Sequence, residues 1–183
     1  MDLEKLKFSI LIIKHNNMKK TSFLILLSLS VSFFCSGKKS AVDYVNPMIG
    51  TALKGEGGTS PFVGTPFAMT EFMPQTRENK MGTMAYVYDD KSIMGFLASH
   101  QPTVSLMPQI GEKIKVLPED RQIIFDHKQE KATPYYYSVN LPSENKKNIK
   151  AEISAASRCA LFRFTFPKSN NARLIIQGIN LNP

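Results

Sequence analysis

The sequence predicts an all-β protein, an antiparallel β-sandwich preceded by an export signal. Three observations point there. From Ala41 onward, several windows alternate apolar and polar residues with period two. No window beyond the leader keeps apolar residues at helical spacing for three turns. Clusters of Pro, Asp, Asn and Ser punctuate the alternating runs at fairly even intervals, as turns do between short strands.

The clearest strands lie in the second half of the chain. Ile149, Ala151, Ile153 and Ala155 fall on one face, with Lys150, Glu152 and Ser154 on the other. Phe162, Phe164 and Phe166 line one face opposite Arg163 and Thr165. Further strands are expected at Met84–Tyr88, Ser92–Leu97, Lys113–Leu117, Gln122–Phe125, Tyr135–Leu141 and Arg173–Gln177. Asp89-Asp90-Lys91 reads as a hairpin turn, and its two adjacent carboxylates point apart, so they are not a catalytic pair. Pro118-Glu119-Asp120 and Pro142-Ser143-Glu144-Asn145 read as loops. Ala52–Thr65, with Gly55, Gly57, Gly58, Gly64 and Pro61, is expected to be a long irregular loop of the kind that carries binding residues. Tyr135-Tyr136-Tyr137 is expected to alternate between core and surface, a sugar platform being the alternative.

The leader has its own logic. Met18-Lys19-Lys20 precedes an apolar stretch from Phe23 to Phe34, a positive n-region followed by an h-region too short to span a membrane. Cys35-Ser36-Gly37 comes directly after it. A cysteine there suggests a lipoprotein signal in which Cys35 is acylated, although Ser32 and Phe34 fit that pattern poorly. Ordinary cleavage near Ser36 or Gly37, giving a soluble product, is the alternative. Residues 1–17 are read as an extension outside the signal, 18–36 as the signal, and 41–183 as the sandwich. An exported protein of the periplasm or outer membrane is expected, touching membrane only through its lipid. Lys38 and Lys39, after the cysteine, favour a periplasm-facing anchor.

An apolar fraction of 43% rules out wholesale disorder. The net charge of +8 is concentrated early: residues 1–34 carry +3, and Lys38 and Lys39 add two more. The remaining charges are interspersed, and no basic stripe with interleaved aromatics appears, so no nucleic-acid partner is expected. Tryptophan is absent, which leaves any sugar stacking to Tyr or Phe. Cys159, in an alternating run, is expected to be a small buried residue.

A series of motifs then narrows the reading. Asp43-Tyr44-Val45-Asn46-Pro47-Met48-Ile49-Gly50-Thr51 opens the mature chain. Gly58-Thr59-Ser60-Pro61-Phe62-Val63-Gly64-Thr65-Pro66-Phe67-Ala68-Met69 comes next, then Pro74-Gln75-Thr76-Arg77. Tyr88–Phe96, Ser99-His100-Gln101-Pro102, Leu106-Met107-Pro108, Pro134–Val139 and Ile149–Ile153 complete the series. In order and spacing it resembles the N-terminal domain of glycoside hydrolase family 92, the α-mannosidases. Pro66–Met69 resembles the family's Pro-Phe-Gly-Met strand, with Ala68 in place of glycine. Val104 runs straight into Ser105, where the family typically has a Gly-Asp-Tyr-Gly segment.

The resemblance implies a galactose-mutarotase-like sandwich that closes one side of the active site of an inverting exo-α-mannosidase. It implies that an (α/α)6 barrel holds the catalytic acid, the general base and most calcium ligands. None of that barrel falls within these 183 residues. No catalytic or metal-ligating residue is therefore expected here, and the chain is expected to be incompetent in catalysis by itself. His100 and Gln101 are the candidate substrate-binding residues, since a neutral imidazole and an amide suit sugar hydroxyls. A structural loop histidine is the alternative. The expected partners are a mannose-containing glycan and a separately encoded barrel. A stand-alone carbohydrate-binding lipoprotein is the second reading.

Overall fold

A computed structural model describes residues 39–52, 58–77, 85–99, 104–143 and 147–178. The chain divides into two units, Met1–Ser40 and Ala41–Pro183, and the strands among the described residues belong to the second. Residues 1–38, where the signal is expected and Cys35 stands, lie outside the described residues, as do Met84, His100 and Gln101.

Ten strands build two four-stranded antiparallel sheets and one two-stranded ribbon among the described residues. The first sheet joins β1 (Met73–Gln75), β3 (Gly95–Leu97), β4 (Val104–Ile110) and β10 (Ala172–Gly178) in that order. The second is a meander of β6 (Glu130–Thr133), β7 (Tyr136–Pro142), β8 (Asn148–Ala155) and β9 (Ala160–Thr165). Short β2 (Ser92–Ile93) and β5 (Ile123–Ile124) form the ribbon. Val139, Leu141, Ile149, Ala151 and Ile153 from the second sheet share one core with Phe96 and Met107 from the first. Phe96 meets Tyr137 and Phe164 across it, at ring centroid distances of 6.5 and 5.7 Å. Each large aliphatic or aromatic side chain fully buried here contributes roughly 1.5–3 kcal/mol. The fold is the expected all-β antiparallel sandwich.

Where alternation is strict, the strands fall as read. Ile149, Ala151 and Ile153 are fully buried, and Phe162, Phe164 and Phe166 pack against the same core. Within β7 Tyr137 is buried and Tyr136 half-buried, as alternation requires, while Tyr135 lies in the turn before the strand and is 46% exposed. Elsewhere tertiary partners overrule the pattern. Ser92–Leu97 is two strands, because Ser92 and Ile93 pair with β5 while Gly95–Leu97 pairs with β1 and β4. Of Met84–Tyr88, the described residues Ala85–Tyr88 form no strand. The Ala85 carbonyl accepts bonds from the N–H groups of Thr76 and Arg77 at 2.8 and 3.1 Å.

Three expectations are corrected. Lys113–Leu117 alternates but is an exposed loop: Lys115 is pinned by the Gln109 amide and the Val116 carbonyl by Arg121, so its backbone joins no ladder. Pro66-Phe67-Ala68-Met69 is a turn, closed by the Ala68 N–H on the Thr65 carbonyl at 3.0 Å. Cys159 is exposed in the β8–β9 turn, where its carbonyl accepts from the Ala156 N–H at 2.8 Å. Pro118-Glu119-Asp120, read as a loop, belongs to one helical turn, Pro118–Arg121, with proline at its start.

β3 and β4 pair as antiparallel neighbours. Phe96 faces Leu106, Leu97 faces Ser105, and the Ala98 N–H closes on the Val104 carbonyl at 2.9 Å.

Candidate functional site

Several of the segments that carry the family resemblance converge on one cleft of about 510 Å³. The opening segment supplies Val45, Asn46 and Ile49; the loop after Gly58 supplies Ser60, Phe62 and Thr65. Pro134 and Tyr135, ahead of β7, form the far wall, and Glu71 is the carboxylate among the described lining residues. The sequence predicts a glycine-rich loop of the kind that carries binding residues. It did not reveal that the opening motif and Pro134-Tyr135 would meet them.

Local chemistry explains why these segments stay together. Asn46 accepts the Met48 N–H at 3.0 Å, a side chain mimicking a turn. The chain reverses at Gly50, whose φ of 84° suits glycine, and a Cβ there would sit 3.0 Å from Thr59 Cγ2. Thr59 donates its N–H to the Gly50 carbonyl at 3.3 Å, tying the two segments. Val63 and Phe72 exchange both backbone bonds, at 2.8 and 3.1 Å, and the Gly64 N–H reaches the Pro134 carbonyl at 2.9 Å. The Met69 N–H bonds the Ser157 carbonyl in the β8–β9 turn at 2.8 Å.

Next to Pro66, which lines the cleft, one exposed residue is strained. Phe67 has φ of 60° in the Thr65–Ala68 turn and is fully exposed. That position of a β-turn normally takes glycine or asparagine, because a Cβ in the left-handed region costs about 1–2 kcal/mol. Strained backbone of this kind clusters at functional sites. Tyr135, whose hydroxyl lies 3.4 Å from Asp43 Oδ1, is the second exposed aromatic beside the cleft.

The better buried carboxylates are committed to holding the fold. Asp90 accepts from Thr76 Oγ1 at 2.8 Å and from Arg77 Nε and Nη2 at 2.7 and 3.0 Å. This clasp joins Pro74-Gln75-Thr76-Arg77 to the Tyr88-Asp89 turn, which the sequence by itself marks only as a hairpin turn, and raises the Arg77 pKa through the Asp90 bond. Glu130 accepts the hydroxyls of Tyr86 at 3.0 Å and Tyr137 at 2.5 Å, with His127 Nδ1 at 2.7 Å. Burial, reinforced by Glu130, pushes both tyrosines far above their ordinary pKa, so they stay protonated donors. His127 also stacks on Tyr88, with centroids 4.1 Å apart. No signal in the sequence marks this cluster, since its members are separated by up to 51 positions and only the fold assembles them.

Calcium needs roughly six to eight oxygen ligands. Among the described residues, no three His, Cys, Asp or Glu side chains converge as a metal site. His100, Gln101 and Cys35 lie outside the described residues.

Residues 44–182 match the N-terminal domain of glycosyl hydrolase family 92. No curated protein sequence matches the chain. A family GH92 inverting mannosidase from Bacteroides thetaiotaomicron, BT2199, is similar at 36% identity and TM-score 0.64, over 76% of this chain. The α-mannosidase BT3965 of the same organism, solved with mannoimidazole, is 29% identical with a TM-score of 0.63 over 75% of this chain. A GH92 glycosyl hydrolase, ccman5, shares the fold at 21% identity and TM-score 0.59. The chain spans 20% of the length of each of these proteins. With its matching motifs and its sandwich, the chain belongs to glycosyl hydrolase family 92, as an N-terminal domain of that family.

Proposed function

We propose that this domain is the carbohydrate-facing, non-catalytic part of an α-mannosidase acting on mannose-containing glycans. The observation that carries the reading is the convergence of family motifs on the 510 Å³ cleft between the opening segment and Tyr135. A cleft with apolar walls, a few polar groups and exposed aromatics at its edge suits a sugar, whose faces stack while its hydroxyls take hydrogen bonds. Inverting hydrolysis needs a carboxylic acid and a carboxylate free to act on opposite sides of one bond. Asp90, Glu130 and Glu152 are instead held by arginine, tyrosine, lysine or histidine partners, which supports a binding role over a catalytic one.

The purified chain should bind an α-mannoside weakly and release no mannose from it, with or without calcium. Line broadening of mannobiose NMR signals on adding protein reads the first, and mannose assay reads the second. Tyr135→Ala should abolish the broadening. Equal broadening of a matched glucoside, or none by wild type, defeats the binding role; turnover abolished by a point change within the chain defeats the non-catalytic one.

Acylation at Cys35 is proposed separately, because that thiol stands directly after the apolar stretch that Lys19-Lys20 introduces. Labelled fatty acid should enter the wild-type protein in cells and not Cys35→Ser. Equal labelling of the two would rule out acylation there.

A further inference from the structure

Beside β4, Arg121 is 2% exposed, the largest of the fully buried side chains among the described residues. Its guanidinium is surrounded by neutral acceptors. Nε donates to the Met94 carbonyl at 2.9 Å, Nη1 to the Val116 carbonyl at 3.1 Å, and Nη2 reaches Ser105 Oγ at 3.4 Å. A guanidinium carries five N–H donors and stays protonated in proteins. Burial pulls its pKa down, and Glu119 opposes this through space without an ion pair. A buried charge normally has an opposite charge against it, since desolvation costs several kcal/mol.

Arg121 also lines a small cavity of about 70 Å³, together with Gln109, Gln122, Lys113 and Lys115. The two lysines are exposed at its rim and also border a neighbouring 460 Å³ cleft with Ser169 and Asn171. Glu112 is the carboxylate on that neighbouring cleft. No Asp or Glu is among the described residues that line the smaller cavity. A water needs about 10–15 Å³ of such space, so 70 Å³ takes a few waters or one small polyatomic ion. A rigid fork of N–H groups matches the oxygens of a phosphate or sulfate better than it matches a halide.

We propose that the cavity beside Arg121 is a binding site for a single tetrahedral oxyanion, held by the Arg121 guanidinium from within and the Lys113 ammonium at the mouth. The ion completes the charge balance of the buried guanidinium. It also fixes the 113–117 loop, which is tied to the body through Gln109 on Lys115 and Arg121 on Val116. The oxyanion is either a free ion or an ester group projecting from a larger molecule through the lysine-lined mouth. Neither form requires a mannoside in the 510 Å³ cleft.

The test is calorimetric titration of the purified full chain with inorganic phosphate, with sulfate and with chloride at matched ionic strength, alongside thermal melting. The expected result is saturable one-site binding of phosphate or sulfate and a rise of several degrees in the melting midpoint, with neither from chloride. Lys113→Gln, an exposed change that leaves the core intact, should weaken binding about tenfold; Arg121→Lys should remove it. If Arg121→Lys fails to fold, Lys113→Gln decides. Tighter binding of a hexose 6-phosphate than of free phosphate assigns the ion to an ester, and equal binding assigns it to the free ion. No saturable binding, an equal response to chloride, or affinity unchanged in Lys113→Gln overturns the site.

Discussion

Glu152 sits on β8 where strict alternation would leave it in solvent, yet it is buried under its neighbours. Tyr136 from β7 donates to it at 2.7 Å, Arg163 from β9 at 2.7 and 2.9 Å, and Lys150 lies 2.9 Å away. The Arg163 bonds first, then Tyr136, hold its pKa well below the usual carboxylate range. A carboxylate depressed on folding adds stability above its unfolded pKa, about 4.3, and loses it as pH falls toward the folded value. Arg163 is largely exposed, so water screens part of the attraction. Glu152→Gln should therefore cost about 1–2 kcal/mol at neutral pH, and the gap from wild type should narrow from pH 5 to pH 3. Urea unfolding at both pH values measures this; a penalty as large at pH 3 as at pH 7 would rule out the ionised carboxylate as its source.

At the scale of elements, β3 shows how little room a central strand can have. Gly95 faces Gln75 in β1 and lies beside Ser105 of β4, whose hydroxyl donates to Gln75 Oε1 at 2.7 Å. A Cβ on Gly95 would come within 2.1 Å of Ser105 Oγ and 2.7 Å of Gln75 Oε1. Both of those atoms are in a buried hydrogen bond, so neither can turn aside without loss. Gly95→Ala should destabilise by about 1–3 kcal/mol, the usual cost of overpacking. Adding Ser105→Ala should recover part of that, since it removes the nearer atom. Denaturant midpoints of the single and double variants decide it; strictly additive losses would place the strain elsewhere.

For the whole molecule, the edge of the cleft matters most. Tyr44, Ile49, Phe67 and Met69 are each more than 70% exposed, and all four lie in the segments that line the cleft or border it. Apolar surface gathered in this way favours association. The chain should sediment with a concentration-dependent fraction of larger species, and Ile49→Ser with Phe67→Ser should reduce it with little change in melting midpoint, because neither side chain is in the core. Unchanged association in the double variant would assign it to another surface.

Alternation by itself determined β7, β8, β9 and β10, because period two and buried aliphatics suffice where a strand has one core face and one wet face. The same pattern in Lys113–Leu117 misled, since a strand needs a backbone partner and Gln109 and Arg121 took those groups first. β6, with Glu130 and Lys131, and β4, with Pro108, broke the pattern and were legible only once their neighbours were known. The motifs identified the family, and the fold explained what several of them do: Arg77 and Asp90 clasp, Gly50 turns, and Tyr135 closes a cleft. Glu130 with its tyrosines, and Arg121 with its cavity, were decided by tertiary structure alone. Burial and hydrogen-bond partners depend on residues far apart in the chain, and spacing along a sequence carries no record of them.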